Sequence, residues 1–175
     1  MTDTIRQSQI KEKIHQLIHE ANQKYGYAFD ISKLQIFFTL KGRCAGKAIY
    51  PNSTQQKYKG KYTLNFNWRI ATADIEYLYS YTIPHEVAHV LVYFMHHKTD
   101  RHGTKWKSVC LSLGGNGKVK HNIASTIIYD DHVFCDKCGA VVGVSKRSYR
   151  SIQNGGIYMH LTKDKKYCGK IYIKS

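Results

Sequence analysis

His85-Glu86-Val87-Ala88-His89 is embedded in a run whose other members, Val90, Leu91, Val92, Tyr93 and Phe94, are apolar. Wound at about 3.6 residues per turn, positions i and i+4 share one helix face with Cβ atoms roughly 5–6 Å apart, so both imidazoles reach a single ion and the carboxylate lies beside it. A helix apolar on most sides is buried, and unpartnered His and Glu side chains there are costly. The chain therefore needs a core around this helix and a partner for its polar residues. The spacing is that of a zinc peptidase.

Two histidines are one ligand short, because catalytic zinc is held by three protein ligands with a fourth position left for water. His96 follows His89 on the same face but about 10 Å along the axis, too far for a bond of roughly 2 Å. His97 points elsewhere. His102 comes after Lys98-Thr99-Asp100-Arg101, a polar stretch short enough for the chain to turn back, and precedes Gly103, which lets backbone pack close. It is the expected third ligand. Zinc on His85, His89 and His102 lowers the pKa of bound water to about 7 and polarises a carbonyl, while Glu86 takes the water's proton and hands it to a leaving amine.

Around this helix the patterning predicts a small α+β domain. Ile10, Ile14, Leu17, Ile18, Ala21 and Tyr25 recur at helical spacing, and Gly26 ends that helix. Leu34 to Leu40 and Tyr62 to Trp68 alternate at strand period, and Gly46 to Tyr50 is a further strand. A three-stranded antiparallel sheet is expected. Pro84 fits only a helix's first turn, so the motif helix should start near Ile83 with Thr82 as N-cap, after a separate or kinked turn over 73–81. Thr104 to Leu113 is a third helical run, stopped by Gly114-Gly115-Asn116-Gly117. Beyond Asp130-Asp131, short strands, basic residues and paired cysteines take over, dividing the chain into domains 1–131 and 132–175.

The five cysteines are Cys44, Cys110, Cys135, Cys138 and Cys168, in a chain whose first residues lack the apolar stretch of a signal peptide. A disulfide framework is not expected. Cys135-Asp136-Lys137-Cys138-Gly139 is a knuckle whose turn brings two thiolates to one side of a metal. Cys168 supplies a third thiol and His160 the expected fourth ligand, closing a structural zinc site. A redox CxxC pair competes, without the surrounding βαβ pattern such pairs have. His132 is a rival ligand, crowded by its closeness to Cys135. The cofactor expectation is two zinc ions, one catalytic and one structural.

Thr82-Ile83-Pro84-His85-Glu86-Val87-Ala88-His89-Val90-Leu91-Val92, followed by His102-Gly103-Thr104-Lys105-Trp106 and a cysteine-based ribbon, resembles the SprT-like zinc metallopeptidases, to which Spartan belongs. The likeness is greatest to the bacterial SprT form, a compact catalytic domain with a C-terminal zinc ribbon. Arg43-Cys44-Ala45-Gly46-Lys47-Ala48 also looks like that family's glycine-containing segment. The resemblance implies His85, His89 and His102 as zinc ligands, Glu86 as catalytic acid and base, and, from the Spartan branch, cleavage of proteins crosslinked to DNA. The family ribbon usually ends Tyr-x-Cys-x-x-Cys-Gly, whereas here His160 stands where the third cysteine falls and Leu161 to Tyr167 intervene before Cys168.

The 175 residues carry 27 Lys and Arg against 12 Asp and Glu, a net charge of +15, which favours polyanionic partners. From His132 onward nine basic residues face two acidic ones, with Tyr149, Tyr158, Tyr167 and Tyr172 among them. Such a ribbon suits a groove that tracks phosphates while aromatic rings stack on bases, and Lys146, Arg147, Arg150, Lys163, Lys165 and Lys166 are the expected contacts. No segment approaches about 18 uninterrupted apolar residues. The expectation is a monomeric cytoplasmic protein, nucleoid-associated in a bacterium, neither membrane-bound nor secreted. It binds DNA, single-stranded or without sequence preference, and cleaves DNA-bound proteins. Two alternatives stand beside it: a nucleic-acid-binding ribbon whose histidine helix is structural or weakly active, and a zinc hydrolase of something other than peptides.

Overall fold

The computed structural model describes residues 2–119 and 129–174. The chain divides into two compact units, residues 1–121 and 122–175, each with its own sheet.

The first unit opens with α1, Asp3–Tyr25, capped by the Thr2 hydroxyl accepting from the Ile5 N–H and ended by Gly26 at φ +66°. Its buried stripe, Ile10, Ile14, Leu17, Ile18 and Ala21, is the one the spacing predicts. The sheet is β1 (Leu34–Phe37), β2 (Gly46–Ile49) and β3 (Tyr62–Phe66) in the order β1-β3-β2. β3 is antiparallel to β2 but parallel to β1, so the expected antiparallel sheet is corrected to a mixed one. Alternation assigns faces to a strand and says nothing of its neighbour. The link between β1 and β2 passes around the C-terminal end of β3 instead of forming a hairpin. Polar groups of β3 and its extension hold that link: Asn65 Oδ1 accepts from the Thr39 N–H at 3.0 Å, and Asn67 Nδ2 donates to the Gly42 carbonyl at 2.8 Å. Every residue of β3 is buried, including Thr63 and Asn65 on the face the alternation reads as polar.

Helical segments follow: α2 (Trp68–Ala73), α3 (Ile75–Tyr77), a π turn over Leu78–Thr82, then α4 (Ile83–His96). Thr82 precedes α4 as expected but does not cap it; its backbone is already helical and its side chain makes no capping bond. Instead the Ile83 N–H reaches back to the Leu78 carbonyl, the wider π spacing, and Pro84 enters immediately after. The extra residue in that turn relieves the helix where the proline ring lacks an N–H and crowds the preceding carbonyl. Ile83, Val87, Ala88, Val90, Leu91 and Val92 are buried among α1, β2, β3 and α5 (Thr104–Ser112). α4 is thus the central strut of this unit, with His85 buried and His89 half-buried beside the core.

In the second unit β4 (Asp131–Cys135), β5 (Val141–Val144), β6 (Met159–Leu161) and β7 (Tyr167–Tyr172) form an antiparallel sheet ordered β5-β4-β7-β6, with α6 (Lys146–Gln153) packed on β4. Asp131, placed by composition in the first domain, begins β4 and pairs with Val144. No helix among the described residues is long and apolar enough to cross a membrane.

Candidate active site and metal centres

α4 presents His85 and His89 one turn apart, and the turn between α4 and α5 brings His102 back to meet them. His102 Nε2 lies 3.1 Å from His85 Nε2 and 3.2 Å from His89 Nε2. Nitrogens bound at about 2.0–2.1 Å to a tetrahedral ion stand roughly 3.3–3.4 Å apart, close to the two separations seen here. Shared protons among neutral rings satisfy such a trio poorly, and a cation satisfies it fully. Burial, followed by the His85 and His102 rings, pushes His89 down to about 3, and burial lowers His102 as well. Both shifts keep the rings in the neutral form that binds metal. His96 and His97 take no part; His96 Nδ1 faces Lys105 Nζ at 3.5 Å and His97 ends α4 in the left-handed conformation.

The His102 turn is built by Asp100 and Trp106. Asp100 Oδ2 accepts the Trp106 backbone N–H at 3.0 Å, capping α5 from outside, and a Cβ on Gly103 would stand 2.5 Å from Asp100 Oδ1. Glycine is needed at 103 for this approach, not for its backbone angle. Trp106 is fully buried, with its ring centroid 4.6 Å from His85, 5.3 Å from His89 and 4.6 Å from His102. Its Nε1–H donates to the His85 carbonyl at 3.1 Å. One indole therefore backs all three rings.

Glu86 is buried between α4 and β2. Burial pushes its carboxyl up to about 8, against a hydrogen bond from the Ala48 backbone N–H. A Cβ on Gly46 would lie 2.6 Å from Glu86 Cγ and 2.9 Å from Oε1, so the absent side chain at 46 is what leaves room for the carboxylate. Glu86, His85, His89 and His102 line one cavity of about 520 Å³, walled on the β2 side by residues from Arg43 to Ala48 and Tyr50.

In the second unit the thiols of Cys135, Cys138 and Cys168 and a ring nitrogen of His160 lie within 4.8 Å of one another. The Gly139 N–H donates to the Cys135 carbonyl at 2.9 Å, with Gly139 at φ +68°, which folds the knuckle. His160 offers Nδ1, 3.3 Å from Cys138 Sγ. Burial raises the Cys135 thiol, but backbone N–H groups of Cys138 and Lys137 and the Cys138 and His160 side chains outweigh it and hold it down to about 6. Cys168, beside Cys138, is pushed up to about 11. His132 lies outside the group, on β4. Four donors leave no open position. Lys146, Arg147 and Arg150 are exposed on α6, and Lys163, Lys165 and Lys166 are exposed in the β6–β7 turn.

The SprT-like family matches residues 14–126. The chain belongs to the SprT-like family. Over 107 residues it is 34% identical to Protein SprT of Shewanella oneidensis, an alignment covering 61% of this chain and 62% of the relative. The chain thus spans less than two thirds of that relative's length. No solved structure matches it. The match to the SprT-like family takes in α4, His102 and Trp106 and ends before β4, so the family shows the first unit, whereas the cysteine cluster stands on its geometry alone. Both ligand groups expected from the sequence come together in space. What sequence reasoning missed in this SprT-like unit is the support: Trp106 behind the triad, Gly46 against Glu86, and Tyr50 on the cavity wall. Gly46 and Trp106 stood inside segments already singled out, but spacing alone does not say which helix a residue will meet.

Proposed function

We propose that the chain is a zinc-dependent endopeptidase that acts on proteins held on DNA. The observation that carries this reading is the convergence of three Nε2 atoms beside a carboxyl buried on the same helix, all facing one cavity large enough for a peptide segment. Donor atoms, spacing and neutral rings fit zinc, with His85, His89 and His102 holding it. Zinc bound there supplies a water of pKa about 7 and polarisation of the scissile carbonyl. Burial alone favours the neutral carboxyl, whereas a zinc cation beside it would favour the carboxylate; in that form Glu86 accepts the proton of the attacking water and delivers it to the amine nitrogen as the C–N bond breaks. The Ala48 N–H orients the carboxylate for both transfers.

Cys135, Cys138, His160 and Cys168 hold the structural zinc of a C-terminal ribbon in this reading. The ribbon brings the enzyme to nucleic acid through Lys146, Arg147, Arg150, Lys163, Lys165 and Lys166. These six cations are exposed, in a stretch from His132 onward with nine basic residues against two acidic ones, an excess that favours phosphate as their partner. Tethering raises the local concentration of DNA-bound protein without requiring a selective cleft. The enzyme is read as a cytoplasmic monomer.

Glu86→Gln tests the assignment. It is expected to abolish cleavage of an unfolded protein substrate while zinc content and binding to single-stranded DNA stay at wild-type levels. Full cleavage by the variant would sink the mechanism. An inactive wild-type protein that still binds DNA would favour the alternative, a nucleic-acid-binding ribbon with a structural histidine site. DNA affinity is expected to fall steeply with salt, and indifference to salt between low and physiological concentrations would remove nucleic acid as the partner.

A further inference from the structure

Peptide hydrolysis places negative charge on the carbonyl oxygen in the transition state, and a fixed donor aimed at it is a large part of peptidase catalysis. Six side chains on the cavity wall carry a polar hydrogen outside the histidine and glutamate set: Arg43, Cys44, Lys47, Tyr50, Tyr81 and Thr82, and the exposed Cys44 thiol is only a weak donor. Arg43 and Lys47 are exposed on long flexible stems, which makes them poorly preorganised. Tyr81 is committed, its hydroxyl donating to the Lys118 carbonyl at 2.7 Å. The Thr82 oxygen is sealed from solvent, and its methyl group faces Gly46.

Tyr50 differs from all of these. Its ring stacks on Tyr93 with centroids 4.2 Å apart and planes 14° from parallel. Tyr93 continues the series 85, 89, 93 along α4, so the stack ties Tyr50 to the ligand-bearing face of the helix. The Ser53 N–H donates to the Tyr50 carbonyl at 3.0 Å, holding its backbone in the turn after β2. Its hydroxyl makes no hydrogen bond among the described residues. Burial, then the nearby Glu86 carboxyl and Tyr93, push the phenol up to about 12, so it keeps its proton at working pH.

From this placement we infer that Tyr50 is a catalytic residue, the hydrogen-bond donor to the carbonyl oxygen of the peptide being cut. The inference rests on the peptidase reading above. The water oxygen bonds to the carbonyl carbon, the π electron pair moves onto the carbonyl oxygen, and the Tyr50 O–H donates a hydrogen bond to that oxygen without giving up its proton. When the carbonyl re-forms, the amine leaves with the proton that Glu86 had taken.

Tyr50→Phe keeps the stacked ring and removes only the donor. With a fluorogenic unfolded protein as substrate, single-stranded DNA present and zinc content checked, kcat is expected to fall about 10²-fold with KM unchanged. Affinity for a phosphinic peptide, which mimics the tetrahedral state, should fall by a similar factor in calorimetry. A kcat within twofold of wild type, or a rise in KM at constant kcat, overturns the assignment. Glu86→Gln run in parallel separates the two claims. If it abolishes cleavage while Tyr50→Phe does not, Tyr50 is wrong and the peptidase reading stands. If the zinc-loaded wild-type protein cleaves nothing, or Glu86→Gln cleaves normally, both fall together.

Discussion

The three histidines of the first unit are mounted on structure that exists without a metal, whereas the four donors of the second unit are much of what there is to organise it. α4 is buried by α1, β3 and α5, and Trp106 fills the space behind the triad. In the second unit Val133, Cys135 and Ile171 are the buried apolar residues described, and one of these belongs to the four-donor cluster. A small sheet with so little covered surface needs a staple. The first centre is therefore a site carried by a fold, and the second a fold carried by a site. On the proposed two-zinc reading, removing the metal should cost chemistry in one and structure in the other.

Chelation offers the largest test of that contrast. Structural zinc is worth about 10–16 kcal/mol in small metal-dependent domains, more than this sheet can replace. Metal-free protein is expected to lose the dispersed amide signals of residues 129–174 while those of α1 and α4 persist. Protease cuts appearing in α4 before the β4–β7 sheet would break the comparison. Trp106→Ala attacks from the other side. It should destabilise the first unit by about 3–5 kcal/mol, as expected for removing a buried aromatic ring. It should also weaken metal binding at the histidines by at least about tenfold, in line with the loss of a supporting neighbour. Metal titrations that resolve the two centres should leave the cysteine site unchanged, and equal weakening of both would show that they are not independent.

The strut was legible in the sequence because an apolar run with two histidines at i and i+4 has few other solutions, and His102 because a short polar turn limits how far the chain can travel. The sheet order was not. Leu34 to Phe37 and Tyr62 to Phe66 show their period, but whether they pair parallel depends on Asn65 and Asn67 holding the β1–β2 link across 25 or 26 positions. Local pattern cannot report such contacts. The π turn was hidden likewise: Pro84 signalled a helix start, yet the relief is supplied by backbone spacing over Leu78–Thr82, whose side chains are ordinary for a helix. Gly46 shows the same limit within the site, its requirement coming from Glu86, forty positions later.

That glycine supplies a smaller and sharper test. Gly46→Ala sets a methyl 2.6 Å from Glu86 Cγ. Overpacking of this kind costs about 1–3 kcal/mol, and a displacement of the carboxylate near 1 Å can cost about 10²-fold in turnover. The variant should keep its zinc and lose most of its proteolysis, with the second unit unaffected in melting and DNA binding. Undiminished proteolysis would mean that Glu86 does not depend on its contact with β2.

The smallest expected effect is His160→Cys, and its smallness is informative. His160 turns its near nitrogen, Nδ1, toward Cys138, whereas His85, His89 and His102 meet through the far nitrogen, Nε2. A cysteine sulfur stands one bond closer to the backbone than Nδ1, and the longer zinc–sulfur bond, about 2.3 Å against 2.0–2.1 Å, recovers part of that distance. The second centre should accept the exchange with a stability change on the order of 1 kcal/mol. At 102 a thiol ends well short of the position Nε2 reaches, so His102→Cys should empty the first centre while α4 and its core stay folded. Metal analysis and melting of the two variants decide it: one zinc lost from His160→Cys, or none from His102→Cys, would reverse the assignment of which nitrogen does the holding in each unit.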